Sequence, residues 1–289
     1  MTLLTKAMLG LARHAWPGSL RRSFFRKFSR RHKGQSFDTR TEDGFDMHVT
    51  CGDSVANQLV VNRLFEIELT ERFRALAGSI GTFLDIGCNI GYFSCLVAKL
   101  NPGVRILSID ANPEMCRQCR ANLDQNGFTS AQVVHSGVGA ERGELVLRHR
   151  KGNPSRGSFG EEKTGAEMEE HRVPIAPLPE LLAAHGMTQV DVMKIDVEGF
   201  EGEIFRALDA SHVAGMRHIF FELSQEHLQR CGSSREKLGE TPWLRLFTIH
   251  AVDGGPHAGS QYASLKDVPD EVATVWLKSR QLPEEAAHP

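Results

Sequence analysis

The sequence predicts an α/β fold: a mainly parallel sheet with helices on both faces. Three observations carry that reading. Strand-like and helix-like runs alternate along most of the chain, as repeated βα units require. The runs GTFLDIG (81–87) and VRILSID (104–110) are apolar almost throughout, the pattern of strands covered on both sides. The helical stretch PEMCRQCRANLDQNG (113–127) opens on Pro and closes on Gly, the expected asymmetry of a helix between two strands.

The elements follow in order. FDMHVT (45–50) alternates as a strand, and VANQLVVNRLFEIELTERFRALA (55–77) has helical apolar spacing and good helix formers. GTFLDIG is a buried strand and NIGYFSCLVAKL (89–100) the helix after it; VRILSID and the 113–127 helix repeat the unit. AQVVHSGVG (131–139) and GELVLRHR (143–150) are strands. Then come a helix at LPELLAAHG (178–186), a strand at DVMKID (191–196), a helix at GEIFRALDA (202–210) and a strand at HIFFEL (218–223). LRLFTIHAV (244–252) and EVATVWLKS (271–279) form a closing strand pair. Residues 148–172 interrupt the pattern; they are polar and glycine-bearing, the profile of a substrate lid or a disordered insertion.

Charge is divided unevenly. Of 34 Lys and Arg, nine fall in residues 1–33, which hold none of the 36 Asp and Glu; the other 256 residues carry 25 basic and 36 acidic side chains, a net of −11. Leu20, Phe24, Phe25 and Phe28 lie near one helical face of the basic segment, so an anionic membrane surface is one partner it would suit, against a plain solvated tail or a helix packed on the domain. No run approaches the ~18–20 apolar residues of a membrane span. Six scattered cysteines do not make a disulfide framework, and Cys116 and Cys119 form a CxxC without a second pair to complete a zinc site. A cytoplasmic protein, peripheral to the membrane if the tail binds it, is expected. Its parts are a basic tail (1–35), an N-terminal cap of one strand and one helix (36–78), a cofactor domain (79–281) and a short tail (282–289).

In a parallel sheet the ligand sits beyond the carboxyl ends of the strands. The candidate cofactor contacts are therefore Asp85, Gly87, Cys88, Asn89, Gly91 and Tyr92 after the first buried strand, with Asp110, Ala111 and Asn112 after the second. Ser136 and Gly137 follow the third, and Asp196 the fourth. Gly87 and Gly91 flank a strand-to-helix turn, where glycine lets backbone approach a ligand or take positive φ. Asp110 lies 19 residues past Gly91, the spacing at which an acid accepts hydrogen bonds from ribose hydroxyls. The dinucleotide fingerprint GxGxxG is absent, because position 89 is Asn. Asp85 would repel a pyrophosphate but suits the methionine end of S-adenosyl-L-methionine, which is the cofactor these residues favour over NAD.

DIGCNIGYF, SIDANP, SGVGAERGEL, VPIAPLPELL and KIDVEGFE occur in the order and spacing of the FkbM-type S-adenosylmethionine-dependent methyltransferases, and the chain resembles that family over about residues 45–280. The resemblance implies the class I, Rossmann-like methyltransferase fold: a doubly wound seven-stranded sheet with its last strand antiparallel, here with an N-terminal helical extension. It also implies O-methylation, often of sugar hydroxyls in glycans, glycolipids or secondary metabolites. The chain departs from the family pattern at Cys88 (usually Ala), at Asp110-Ala111 (usually Glu-Pro) and at Pro177–Glu180.

A hydroxyl acceptor must lose its proton, so a carboxylate in the cleft is needed. Asp196 is the first choice, followed by Glu198, Glu201 and Glu222. The competing roles are a helix cap for Glu198, a solvated first turn for Glu201 and an ion pair with Lys194. His135 stands either near an adenine edge or as a structural histidine. Asp196, Glu198 and Glu222 are also oxygen ligands of the kind Mg²⁺ takes, but no metal is required by the pattern. The acceptor expected is a small molecule or glycan. Nucleic acid is disfavoured because IDVEGF stands where base-modifying enzymes often carry Asn-Pro-Pro-aromatic. The alternatives are a nucleic-acid methyltransferase and a non-catalytic, membrane-associated cofactor-binding module.

Overall fold

A computed structural model describes residues 27, 31–51, 54–150, 157–160 and 167–282. Leu20, Phe24, Phe25 and Phe28, the side chains expected to meet a membrane, lie outside them. Among the described residues no helix is long and apolar enough to cross a membrane.

The cap is a hairpin, β1 (Ser36–Arg40) and β2 (Asp46–Thr50), followed by helices α1 (Ser54–Asn62) and α2 (Ile67–Leu76). The alternation then runs β3 (Thr82–Ile86), α3 (Tyr92–Leu100), β4 (Arg105–Asp110), α4 (Pro113–Gln125) and β5 (Gln132–His135). A side sheet follows, made of β6 (Gly137–Val138), β7 (Gly143–Arg150) and β8 (Met168–Ala176). The chain returns through α5 (Leu178–Ala184), β9 (Val192–Ile195), α6 (Glu201–Ala207), α7 (Ala210–Val213) and β10 (His218–Glu222). It ends with α8 (Gln225–Arg230), α9 (Arg235–Gly239), β11 (Phe247–Ala251), β12 (Gln261–Tyr262) and β13 (Thr274–Ser279).

The main sheet has the order β12-β11-β13-β10-β9-β3-β4-β5. From β10 to β5 every pairing is parallel, whereas β13 runs antiparallel between β10 and β11. This is the class I methyltransferase arrangement, with the two-residue β12 added at one edge of the seven expected strands. One face is covered by the cap helices, α3 and α4, where Phe73 meets Phe83, Phe93 and Phe220 at centroid distances of 5.1–5.2 Å. The other is covered by α5, α6 and α9, around Phe205, Phe221 and Trp243.

Three expectations need correction. The cap holds a hairpin, not one strand: Ser36–Arg40 pairs along Asp46–Thr50. The single helix expected over 55–77 is two helices, broken where Arg63 (φ 59°) and Glu66 (φ 42°) adopt left-handed backbone. Neither is glycine, so tertiary contacts must hold the break. The Arg63 guanidinium donates to the carbonyls of Arg40 and Thr41, and the Glu66 N–H donates to Gln58 Oε1. Phe65, inside the break, packs edge-on against Tyr92. Finally, the described parts of 148–172 carry strand pairing: Gly143–Arg150 pairs residue for residue with Met168–Ile175, and Ser158 bridges Arg148.

Candidate active site

The carboxyl ends of β3, β4, β9 and β10 open into a cavity of about 310 Å³, roofed by the cap break and by the side sheet. Three strand ends are stitched together there. The Gly87 N–H donates to the Ile109 carbonyl, and the Asp196 N–H to that of Ile86. Gly87 has φ 76°, and a Cβ on it would stand 1.8 Å from the Asp196 carbonyl oxygen, so only glycine lets the two strand ends approach this closely. Gly91 (φ 83°) does not line the cavity; a Cβ there would meet Cys119 Sγ at 2.6 Å, so it admits α4 against the turn.

Asp110 clamps this turn to β4. One carboxylate oxygen accepts the Asn89 N–H and the other that of Asn112, both at 2.8 Å. Burial pushes its pKa up to about 6, and the two N–H groups oppose that rise. Asn89 (φ 51°) is the natural residue after glycine for a left-handed bend. With Gly87, Asn89, Ala111, Asn112, Ser136 and Gly137, Asp110 lines one half of the cavity. A backbone floor that admits no Cβ at Gly87, beside a carboxylate at the strand end, fits the ribose and amino-acid portions of S-adenosylmethionine.

The other half is acidic. Glu66, Asp196, Glu198, Glu222 and Asp253 all line it. Lys194, buried beneath them, donates to Asp196 Oδ2 at 3.1 Å and stands 5.3 Å from the centre of the Phe93 ring. Burial works against its charge, but Asp196, Asp85 and Glu66 outweigh that and hold its pKa above the usual lysine value. Burial also pushes Glu66 up to about 8; Lys194 opposes the rise, whereas Asp196, Glu222 and Asp253 add to it. His227, on α8, reaches Glu222 Oε2 at 3.1 Å and Glu198 Oε2 at 3.3 Å with the same Nδ1. The hydrogen bond to Glu222 raises its pKa, against the cost of burial. Gly199 makes that meeting possible, since a Cβ on it would lie 2.2 Å from the His227 carbonyl oxygen.

Asp196, Glu198 and Glu222 are thus brought into one cavity as expected, and Lys194 pairs with Asp196. Other expected contacts lie elsewhere. Asp85 is buried behind the cavity wall, where Ser94 Oγ donates to it at 2.6 Å; strand alternation turns Ile86, not Asp85, toward the ligand. Cys88 does not line the cavity, and its hydrogen bond with the Cys119 thiol and then burial raise its pKa. Tyr92 is buried against Phe45 and Phe65 with its hydroxyl on Thr70. His135 bonds the Ala111 carbonyl at 3.0 Å, a structural role. Glu201 is buried and accepts the Val197 N–H at 3.0 Å, fixing the turn that carries Glu198. Its pKa is pushed up to about 8 by burial.

Four participants were missed: Phe65, Glu66, His227 and Asp253. His227 alone had a local signal, because Ser224 caps the helix that swings it back over Glu222. The Glu198, Glu222 and His227 ligand atoms lie within 4.8 Å of one another and could hold a divalent ion, though a shared proton satisfies the same trio.

Against this geometry stand the relatives. A profile described as Methyltransferase FkbM domain matches residues 85–247. "Methyltransferase 1" of Beauveria bassiana is 25% identical over 157 residues, 48% of this chain and 63% of that protein. "Methyltransferase sdnD" of Sordaria araneosa is 24% identical over 167 residues, covering 48% and 64%. "AMB antimetabolite synthetase AmbE" of Pseudomonas aeruginosa is 25% identical over 239 residues, 68% of this chain but 11% of the synthetase. The chain thus spans a little under two thirds of the two methyltransferases and about a tenth of the synthetase. The crystal structure of "Methyltransferase FkbM" from Methylobacillus flagellatus is 13% identical with a TM-score of 0.40, covering 88% of this chain and 57% of that one.

Proposed function

The chain belongs to the FkbM methyltransferase family, whose cofactor is S-adenosylmethionine, and we propose that it methylates a hydroxyl oxygen of a neutral sugar in a glycan, glycolipid or secondary metabolite. The observation that carries this reading is the acidic half of the cavity. Among the described residues five carboxylates line it, against the single cation Lys194, and His227 bonds to Glu222. Carboxylates accept hydrogen bonds from a polyol in several directions and repel phosphate, which speaks against a nucleic-acid acceptor. Phe159 and Phe200, 4.8 Å apart between centroids, offer the cavity an apolar wall.

Bound S-adenosylmethionine supplies an electrophilic methyl group on a sulfonium whose departure needs no acid. Gly87, Asn89, Ala111, Asn112, Ser136 and Gly137 would hold it, with Asp110 on its ribose. Asp196 would take the acceptor's proton: Lys194 occupies Oδ2, which fixes the carboxylate and leaves Oδ1 for the hydroxyl. Glu222 and Glu198, steadied by His227, would position neighbouring hydroxyls. Water must be excluded and the acceptor aligned, and the cap break and side sheet, which line the cavity, would do this.

The test is transfer of labelled methyl from S-adenosylmethionine by the full chain to a panel of neutral oligosaccharides, with RNA, DNA and amine-bearing peptides in parallel. The methylated position is then found by mass spectrometry. A methyl ether on a sugar oxygen is expected. Transfer to a nucleobase or amine, or none to any acceptor by chain that binds the cofactor, would overturn it.

A further inference from the structure

We propose that His149, His171 and Glu169, on the β7–β8 hairpin, form a binding site for a divalent transition metal of the zinc type, separate from the acidic cavity. In the antiparallel register Leu147 faces His171 and His149 faces Glu169. Paired and next-but-one residues share a face, so the three polar side chains and Leu147 lie on one side of the hairpin. On the β7 arm that side is turned inward, where Leu147 lines the cavity and His149 is 2% exposed.

The two imidazoles approach tip to tip. Their Nε2 atoms are 3.0 Å apart, with rings within 17° of parallel. Glu169 Oε2 comes to 3.8 Å from the same nitrogen of His149, and all three ligand atoms fall within 4.8 Å of one another. Nitrogen and oxygen donors about 2.0–2.2 Å from a tetrahedral zinc lie about 3.3–3.6 Å from each other, and these separations bracket that range. A hydrogen bond between two neutral rings explains two of the three groups; convergence of a carboxylate on the same point is what a cation adds. Two imidazoles exclude Mg²⁺ and Ca²⁺, which prefer oxygen, and suit zinc, nickel or copper. Glu169 is half exposed, which leaves an entry path and room for water as a fourth ligand.

The metal would staple the two hairpin arms two residues from the cavity wall at Leu147. It would hold the side sheet in register over the site without touching the reacting atoms.

The experiment strips the full chain with a chelator and titrates zinc calorimetrically at pH 7.5. One equivalent binding at about 1 µM or tighter is expected. His171→Ala, at the partly buried ligand, should weaken it about 100-fold and Glu169→Gln about tenfold. Cobalt(II) in place of zinc should give visible bands that both substitutions alter. His227→Ala should leave this equivalent intact. If His227→Ala abolishes binding while His171→Ala does not, the ion belongs to the acidic cavity and the proposal fails. It fails equally if the folded chain binds no zinc, which would leave His149 and His171 as a hydrogen-bonded pair.

Discussion

The two halves of the cavity are built differently. The cofactor half is made of backbone: strand ends stitched by N–H···O bonds, two left-handed residues and one carboxylate that accepts two amides. The half proposed for the acceptor is made of side chains delivered by separate elements, namely Glu66 from the cap break, Glu198 from the turn after β9, Glu222 at the end of β10, to which His227 of α8 is bonded, and Asp253 after β11. A backbone cradle tolerates little change in sequence. A set of converging side chains can be re-specified one residue at a time, and under the proposed function that is where the acceptor would be chosen.

The sharpest way to break this division is a pair of glycine substitutions. Gly87→Ala drives a Cβ to 1.8 Å from the Asp196 carbonyl oxygen at positive φ, and should abolish measurable cofactor binding while costing about 3 kcal/mol of stability. Gly199→Ala collides with the His227 carbonyl instead, and should spare cofactor affinity while removing turnover. Calorimetry with S-adenosylhomocysteine reads both. Equal loss of affinity in the two variants would mean that the halves are one unit.

Next in size is Asp196→Asn, at the seam. If the carboxylate takes the proton, kcat should fall about 10²–10⁴-fold with cofactor affinity unchanged. A parallel fall in affinity would reassign Asp196 to holding Lys194 and the strand ends.

How much was legible follows the same division. The glycine turn, Asp110 and the alternation of strand and helix are local patterns, and they led to the fold, the cofactor and half the cavity lining. Asp85 is legible as a motif residue but not as a wall residue, because in a strand each successive side chain changes face: Ile86 lines the cavity and Asp85 meets Ser94. Glu66 was invisible for another reason. Nothing between residues 55 and 77 breaks a helix by propensity, and the left-handed backbone at Arg63 and Glu66 is held by bonds to Arg40, Thr41 and Gln58. Residues 168–176 were missed because Glu169, Glu170 and Arg172 hide the short alternation at Val173 and Ile175.

A smaller effect sharpens the cofactor half. Asp110→Ala should weaken cofactor binding about 10- to 150-fold, or ~1.5–3 kcal/mol, the range for hydrogen bonds to a charged group. Part of that loss belongs to the turn, since the Asn89 and Asn112 amides lose their acceptor. Asp110→Asn keeps an acceptor for one amide and should lose less. Equal affinity for wild type and Asp110→Ala would remove the residue from the site.

The smallest effect is read on the cofactor-free chain as a dependence on pH, and it belongs to the acceptor half. Glu66 is held at about 8 against an ordinary 4.5, raised chiefly by burial and then by Asp196, Glu222 and Asp253. The folded chain therefore keeps a proton that the unfolded chain has already released. A raised folded pKa contributes stability that is complete below about 4.5 and is lost as pH climbs through 8. Glu201, also at about 8, acts in the same window. Melting temperature should accordingly fall from pH 5 to pH 9, and Glu66→Gln, which cannot ionise, should flatten part of that slope. Glu201→Gln keeps an oxygen for the Val197 N–H and should flatten a further part. If neither substitution changes the slope, the acids of this half share their charge with solvent, and the cavity is wetter than its lining implies.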